Sequence, residues 1–246
     1  MERVDIRAAP PLLPLCFEDV VFEVGPRRII DGISMRLDAG PRTVIIGPNG
    51  AGKSVLLRLC HGLLGPTAGS ITWNASEVAG GPRRQAMVFQ RPVLLRRSAL
   101  GNVTYALKLA GVPFGQREER AMEALRKVGL GGLGRHSARV LSGGEQQRLA
   151  LARVWALHPE ILFLDEPTAS LDPGATHEIE NVIAALHGAG TKIVLVTHNL
   201  GQAHRLGDEI LFLHQGRLAE RAPADRFLKH PTSSEAAKFL EGELPW

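Results

Sequence analysis

Three short apolar runs stand out in the hydrophobic pattern of the chain, at residues 44–46, 161–164 and 193–196. Each run stops at glycines or polar side chains, which is typical of strands buried on both faces. Helical patterns follow these runs, and parallel strands need crossover helices. We therefore expect an α/β fold with a mainly parallel sheet at its centre.

The pattern changes character on either side of residue 90. Up to about that point it predicts antiparallel strands, including one at 70–73 that follows a Pro-Thr-Ala-Gly turn. Between about 91 and 140 it predicts helices at 100–110 and 117–128, followed by a flexible glycine-rich exit at 129–134. The fold should therefore combine a parallel core with an antiparallel β subdomain and a helical subdomain.

The segment after the first apolar run has the pattern of a phosphate-binding loop. Glycines allow successive backbone N–H groups to turn toward phosphate oxygens, and the next helix points its partly positive N-terminus at the same anion. Lys53 adds charge for the β- and γ-phosphates of ATP, and the Ser54 hydroxyl can ligate Mg²⁺. A structural turn with an exposed lysine is the alternative, but every position that phosphate chemistry needs is filled. The loop consists of Gly47, Pro48, Asn49, Gly50, Ala51, Gly52, Lys53 and Ser54.

The other two apolar runs also end at residues that can carry chemistry, namely Asp165 and Glu166 after one and His198 after the other. Carboxyl ends of parallel strands meet at one sheet edge, where ligands bind. Asp165 would face Mg²⁺, and Glu166 would orient or deprotonate the water that attacks the γ-phosphorus. His198 could donate a hydrogen bond to a γ-phosphate oxygen. Alone, such residues are usually structural, but the phosphate loop favours the catalytic interpretation.

Ser142 and two glycines begin a long helical stretch and predict a second anion-binding helix start. This segment has no lysine and no Mg²⁺ ligands. It could therefore cap a phosphate that is held elsewhere, as a site completed by a second subunit requires. A serine N-cap without any ligand is the structural alternative.

Taken in order, these motifs resemble the ATP-binding subunits of ABC transporters over residues 15–220. The phosphate loop corresponds to the Walker A motif, and the two acids and the histidine correspond to the Walker B pair and the switch histidine. Gln90 corresponds to the Q-loop glutamine, and residues 170–172 to the D-loop. Residues 141–148 correspond to the LSGGQ signature, which here contains Ser142, Gly143, Gly144 and Glu145.

The resemblance implies a P-loop NTPase of the ABC type that acts as a homodimer with composite ATP sites. The signature of one subunit would close over the γ-phosphate held by Lys53 of the other. Ser54, Gln90 and Asp165 would lie around Mg²⁺. The implied partners are transmembrane permease subunits and, through the complex, an extracytoplasmic substrate-binding protein. The implied location is peripheral, on the cytoplasmic face of the inner membrane. Outside the resemblance, the arginines, acids and prolines of residues 1–14 predict a mobile leader, and residues 221–246 predict a short helical tail.

The stretch at 87–103 is similar to that of tungstate importer ATPases and, less closely, to those for molybdate and phosphate. In the family this region contacts a membrane subunit, so Arg96 and Arg97 would lie near the docking groove; a solvated turn is the alternative. We expect an importer subunit for an oxyanion, with tungstate as the cargo. Another cargo, an exporter, a soluble ABC ATPase acting on a macromolecule and a non-hydrolytic nucleotide sensor are the competing interpretations.

One position departs from the family pattern. An aromatic residue usually stacks on adenine where this chain has Val24, so we expect only modest selectivity for ATP over GTP. Phe22 could compensate from the same strand face, although a core position is the better interpretation.

Composition excludes some classes of function. The chain has 246 residues, is 44% hydrophobic and carries a formal net charge of +4. No apolar run approaches the ~20 residues that span a bilayer, so membrane attachment should come from a partner. The basic residues are scattered without interleaved aromatic residues, so we expect no nucleic-acid binding.

Overall fold

The computed structural model describes residues 11–74 and 84–243 of the chain. The strands are β1 Leu15–Val24, β2 Arg27–Leu37, β3 Thr43–Ile46, β4 Ala68–Trp73, β5 Gln85–Val88, β6 Ile161–Asp165, β7 Lys192–Val196, β8 Glu209–His214 and β9 Arg217–Pro223. The α-helices are α1 Lys53–His61, α2 Ala99–Leu109, α3 Phe114–Lys127, α4 Gly143–Leu157, α5 Pro173–Gly188, α6 Leu200–Leu206, α7 Ala224–Lys229 and α8 Ser234–Leu240.

A six-stranded sheet forms the centre of the fold, in the order β5-β6-β7-β3-β8-β9. All neighbours pair in parallel except β8 and β9, which are antiparallel. Strands β3, β6 and β7 are buried at every position, as expected for parallel strands covered on both faces. The mainly parallel core predicted from the apolar runs is confirmed.

A separate antiparallel sheet has the order β2-β1-β4. The hydrophobic pattern predicted antiparallel strands around the phosphate loop up to about residue 90, but β5 pairs in parallel with β6 in the central sheet. A four-residue apolar strand does not indicate the direction of its partner, because that direction depends on residues far along the chain. The antiparallel subdomain is therefore smaller than predicted.

Helices α2 and α3 pack against each other and against α4, and form the predicted helical subdomain. Ser98 caps α2, since its Oγ accepts a hydrogen bond of 3.0 Å from the N–H of Gly101. The glycine-rich exit contains the buried residue Leu130, followed by a short 3₁₀ helix, Gly131–Leu133. The helical subdomain thus reaches the signature segment through ordered contacts.

The C-terminal segment packs on the central sheet. Phe227 of α7 and Phe239 of α8 lie against Phe212 of β8, with ring centroids 5.7 Å and 5.3 Å away. Both side chains are fully buried. Burial of large aromatic rings contributes strongly to stability, so the predicted tail is part of the core.

Residues 1–10 of the predicted leader lie outside the described residues. Its last part contacts the fold: Leu13 is buried, and the N–H of Leu12 donates to Oε2 of Glu160 at 2.7 Å. Within the described ranges, no helix has the length and apolar character needed to cross a membrane.

Candidate functional site

The loop between β3 and α1 has the backbone that its glycines permit. Gly47, Gly50 and Gly52 have φ angles of 151°, 78° and 100°, which L side chains rarely adopt. A Cβ on Gly47 would also lie 2.1 Å from the carbonyl oxygen of Leu213. Close packing against β8 therefore requires glycine at position 47, beyond any role in phosphate binding.

Lys53 begins α1 and folds back into this loop. Its Nζ donates hydrogen bonds to the carbonyl oxygens of Gly47 at 2.7 Å and Pro48 at 2.9 Å. Burial lowers the pKa of Lys53, while the charges of Glu166 and Asp165 oppose that shift. The ammonium group therefore lies inside the loop, within the field of the acidic strand end.

Ser54 and Asp165 bring two elements together at the carboxyl edge of the sheet. The Ser54 hydroxyl donates a hydrogen bond of 2.8 Å to Oδ1 of Asp165. Only 6% of Asp165 is exposed, and burial raises the pKa of its carboxyl above the usual range, although the hydrogen bond from Ser54 opposes the shift. A hydroxyl and a carboxylate are hard oxygen donors of the type that Mg²⁺ prefers. This donor pair fits the predicted Mg²⁺ position.

Glu166 follows β6 and faces His198, which follows β7. Oε2 of Glu166 lies 3.3 Å from Nδ1 of His198. The backbone of Glu166 is left-handed, with φ of 47°, and its N–H donates to the carbonyl oxygen of Val196 at 3.0 Å. Non-glycine residues in this conformation are often found at functional sites. The structure thus brings the predicted base and the predicted histidine into direct contact.

The signature segment forms the start of α4. Oγ of Ser142 accepts from the N–H of Glu145 at 3.3 Å, and Oε2 of Glu145 accepts from the N–H of Ser142 at 2.7 Å. This is a capping box. The hydrogen bond from the Ser142 backbone lowers the pKa of Glu145. Glu145 thus stabilises the turn at the start of α4.

Gly144 and Gly143 lie where α4 meets the residues before and within α5. A Cβ on Gly144 would lie 2.8 Å from Cβ of Ala175, and one on Gly143 would lie 3.4 Å from Cδ2 of Leu171. Close approach of the two segments therefore requires a glycine at position 144. The described hydrogen bonds of Ser142 all lie within the first turn of α4. The signature segment therefore belongs to α4, whereas the phosphate loop precedes α1.

Gln90 is exposed and lies just after β5. The residue before it, Phe89, accepts a hydrogen bond of 3.2 Å through its carbonyl oxygen from Nε2 of Gln147 on α4. Gln147 is only 2% exposed. This tie between the Q-loop and the signature helix was not predicted. Its only sequence signal is a second glutamine in the Glu-Gln-Gln run.

The structure also shows the surroundings of Val24, where the family usually has an aromatic residue. Val24 is 59% exposed at the end of β1. Phe22 is partly buried and packs against the apolar cluster that the antiparallel sheet shares with α1 and the central sheet. This packing favours the interpretation of Phe22 as a residue at the edge of the core.

Residues 30–169 match the sequence profile of a family described as ABC transporter. The tungstate uptake system ATP-binding protein of Peptoclostridium acidaminophilum is 40% identical over 197 residues, which cover 80% of this chain and 92% of that protein. A phosphate import ATP-binding protein of Natronomonas pharaonis is 36% identical, over 88% of this chain and 82% of that protein. Proteins named for methionine import in Caulobacter vibrioides and glutamine transport in Escherichia coli match at 36% identity.

A solved dimeric ATP-binding cassette in a post-hydrolysis state, bound to ADP and Pi, has a similar fold. Its TM-score is 0.75 at 26% identity, over 85% of this chain and 98% of that chain.

Proposed function

The chain belongs to the ABC transporter family, whose members hydrolyse ATP, and we propose that it is the ATPase subunit of an importer that takes up the oxyanion tungstate. The observation that carries the ATPase part is the convergence of two contacts at one sheet edge. Ser54 meets Asp165 at 2.8 Å, and Glu166 meets His198 at 3.3 Å. The first contact provides oxygen donors for a cation beside the phosphate loop, and the second pairs a carboxylate with an imidazole.

The phosphates of ATP would bind in the loop, where Lys53 would exchange its contacts with two carbonyl oxygens for phosphate oxygens. Ser54 and Asp165 would hold Mg²⁺, with Gln90 approaching from the Q-loop. When bound, Mg²⁺ would neutralise part of the charge on the β- and γ-phosphates. The donor set agrees with this assignment because both groups are oxygen donors held together before any cation is present.

Glu166 would act on the water that attacks the γ-phosphorus. It would accept a proton as the new oxygen–phosphorus bond forms, while the bond to the bridging β–γ oxygen breaks and ADP leaves. His198 would donate a hydrogen bond to a γ-phosphate oxygen, which stabilises the charge that develops there. Their contact at 3.3 Å supports a shared role at one phosphate.

A second copy of the chain would complete each site. Ser142, Gly143 and Gly144 form a capped helix start with no cation of their own, so they are suited to cover a phosphate held by Lys53 of the other copy. The dimeric relative with ADP and Pi supports this arrangement. The chain would then be peripheral, on the cytoplasmic face of the membrane.

The surface around the Q-loop supports docking to a permease. Residues 84–117 and 124–144 contain no Asp or Glu. A bridge between Ser98 and Ser137 brings these two segments together, and Arg96, Arg97 and Arg139 are exposed beside it. Such a basic surface favours a partner segment with acidic residues. We expect the double variant Arg96→Glu/Arg97→Glu to lose copurifying permease, whereas Lys229→Glu should retain it; equal recovery would contradict this docking surface.

Two observations support tungstate as the cargo. The stretch at 87–103 is similar to that of tungstate importer ATPases, and the relative with 40% identity is named for tungstate uptake. The test is tungsten and molybdenum uptake, measured by metal analysis in cells with this chain as the only copy. Cells with Lys53→Ala should lose tungsten accumulation, while Lys108→Ala, an exposed lysine on α2, should retain it. Unchanged tungsten in the Lys53→Ala cells would overturn the oxyanion cargo. Loss of ATP hydrolysis by the same purified variant would show independently that the ATPase assignment stands.

A further inference from the structure

A buried polar network connects the turn that carries Glu166 with the turn that carries His198. Its central residue is Gln202 on α6, whose Nε2 donates to Oγ1 of Thr168 at 2.9 Å and to Oε1 of Glu180 at 3.1 Å. Thr168 lies two positions after Glu166. A single amide group therefore joins α6 to the segment that follows the predicted base.

The same helix is fixed to the switch turn from the other side. Asn199 directly follows His198 and caps α6, since its Oδ1 accepts from the N–H of Gln202 at 2.9 Å. The N–H of Asn199 in turn donates to Oγ1 of Thr197 at 3.1 Å. A displacement of α6 would therefore change the position of His198 relative to Glu166.

Glu180 and Arg205 anchor the network. Arg205 donates from Nε to Oε2 of Glu180 at 2.8 Å and from Nη2 to Oε1 at 2.7 Å. The Glu180 side chain is only 7% exposed. Burial alone would raise the pKa of Glu180, but hydrogen bonds from Arg205 and Gln202 lower it. A two-point contact of this kind fixes orientation as well as distance.

The direct contact between Glu166 and His198 constrains the site less strongly. The His198 side chain is 54% exposed, and the two atoms lie 3.3 Å apart. Exposed contacts of this type contribute little because water competes for both groups. Gln202, in contrast, is 1% exposed, and hydrogen bonds are stronger in a buried setting.

We propose that Gln202 is a positioning residue for ATP hydrolysis, and that its hydrogen bond to Thr168 holds the Glu166 turn and the His198 turn in register. The proposal rests on the ATPase function proposed above. Misplacement of a base or of a charge-stabilising donor lowers the rate of the chemical step more than it affects substrate binding. None of the residues of the network belongs to the phosphate loop at 47–54.

The test is steady-state ATP hydrolysis by the full chain with three variants. Gln202→Met keeps the side-chain volume and removes the donor, and Thr168→Val removes the acceptor. Each should lower kcat about tenfold, which corresponds to about 1.4 kcal/mol in the barrier, and leave KM for ATP within about twofold. Thr168→Ser retains the hydroxyl and should restore most of the wild-type kcat.

A double variant tests whether the two residues act through one bond. Gln202→Met combined with Thr168→Val should lower kcat no further than either change alone, because the second change removes nothing that remains. If the two losses in kcat instead multiply in the double variant, the proposal is overturned.

Arg205→Met and Arg42→Met form a matched pair of controls for stability. Arg42 makes a similar two-point contact with Asp208, at 3.1 Å and 2.8 Å. It precedes β3, at the opposite end of that strand from the phosphate loop, and lies outside the network. Both variants should lower Tm, but only Arg205→Met should lower kcat. Equal kcat in the two variants would mean that the network has only a structural role. A Gln202→Met enzyme with wild-type kcat and a lower Tm would mean the same. Absence of hydrolysis in the wild-type protein would instead contradict the ATPase function itself.

Discussion

The hydroxyl of Ser54 donates a hydrogen bond of 2.8 Å to Oδ1 of Asp165, although the two residues lie 111 positions apart. Ser54 is the second residue of α1, and Asp165 is the last residue of β6. Their contact joins the phosphate loop to the acidic strand end before any cation is bound. It also leaves a buried carboxylate in the free protein, which has a measurable consequence for stability.

Asp165→Asn should stabilise the nucleotide-free protein at pH 8. Burial raises the pKa of Asp165, so the native state disfavours the ionised carboxyl, and stability is lost as pH rises from the unfolded pKa of about 4 through the raised value. Below about pH 4 the carboxyl is protonated in both states and the advantage of asparagine should disappear. The measurement is the urea concentration at the unfolding midpoint of wild type and Asp165→Asn, without nucleotide or Mg²⁺, from pH 8 to pH 4.

Asp225→Asn is the control for that experiment, since the Asp225 side chain is 77% exposed. It should leave the urea midpoint unchanged. A lower midpoint for Asp165→Asn at pH 8 would mean that the charges of Arg58 and Lys53 outweigh the cost of burial.

Glu166→Gln should keep ATP binding and lose hydrolysis by about 10²–10⁴-fold, the usual effect of removing a general base. Because the amide retains the size of the carboxylate, the phosphate loop should still bind ATP. The variant should then accumulate as a dimer, detectable by light scattering with ATP and Mg²⁺. Glu119→Gln, an exposed site on α3, should behave as wild type. A monomer that hydrolyses ATP at the wild-type rate would refute the assignment of the base.

Gly47→Ala should destabilise the fold as well as weaken nucleotide binding. The new Cβ would meet the carbonyl oxygen of Leu213 at 2.1 Å, in a backbone with φ of 151°. Overpacking of this kind typically costs about 1–3 kcal/mol. Gly188→Ala at the end of α5 has open space around it and should be neutral or stabilising by up to about 1 kcal/mol. Urea unfolding of both variants tests the difference, and equal stability would contradict it.

Val24→Tyr should increase ATP affinity. Stacking of a base on an aromatic ring contributes about 1–3 kcal/mol, and Val24 is exposed enough to be replaced without repacking. In the wild-type protein, ATP and GTP should bind within about tenfold of each other, a difference of about 1.4 kcal/mol. Fluorescent-nucleotide competition measures both quantities, with Leu109→Tyr as a control at another exposed site. Strong wild-type preference for ATP would count against the role of this position.

Some long-range features escaped prediction for reasons that particular residues illustrate. Gln147 and Phe89 are 58 positions apart, and a single chain contains no signal that pairs a glutamine amide with a distant backbone carbonyl. Gln202 has the same difficulty, because its partner Thr168 belongs to a different strand connection. The pattern up to about residue 90 predicted antiparallel strands, but β5 pairs in parallel with β6, since a run of four residues does not encode the direction of its neighbour.

The sequence by itself determined the local chemistry of this protein. A strand, a glycine-rich loop and a helix at 44–60 predict phosphate binding, because loop conformation and helix start depend on neighbouring residues. The acids at the end of β6 and the histidine after β7 were likewise located by strand ends. Only the tertiary structure decided which distant groups meet, as in the contacts of Ser54 with Asp165 and Glu166 with His198. Such contacts depend on the order in which strands pack, and that order is set by the whole core.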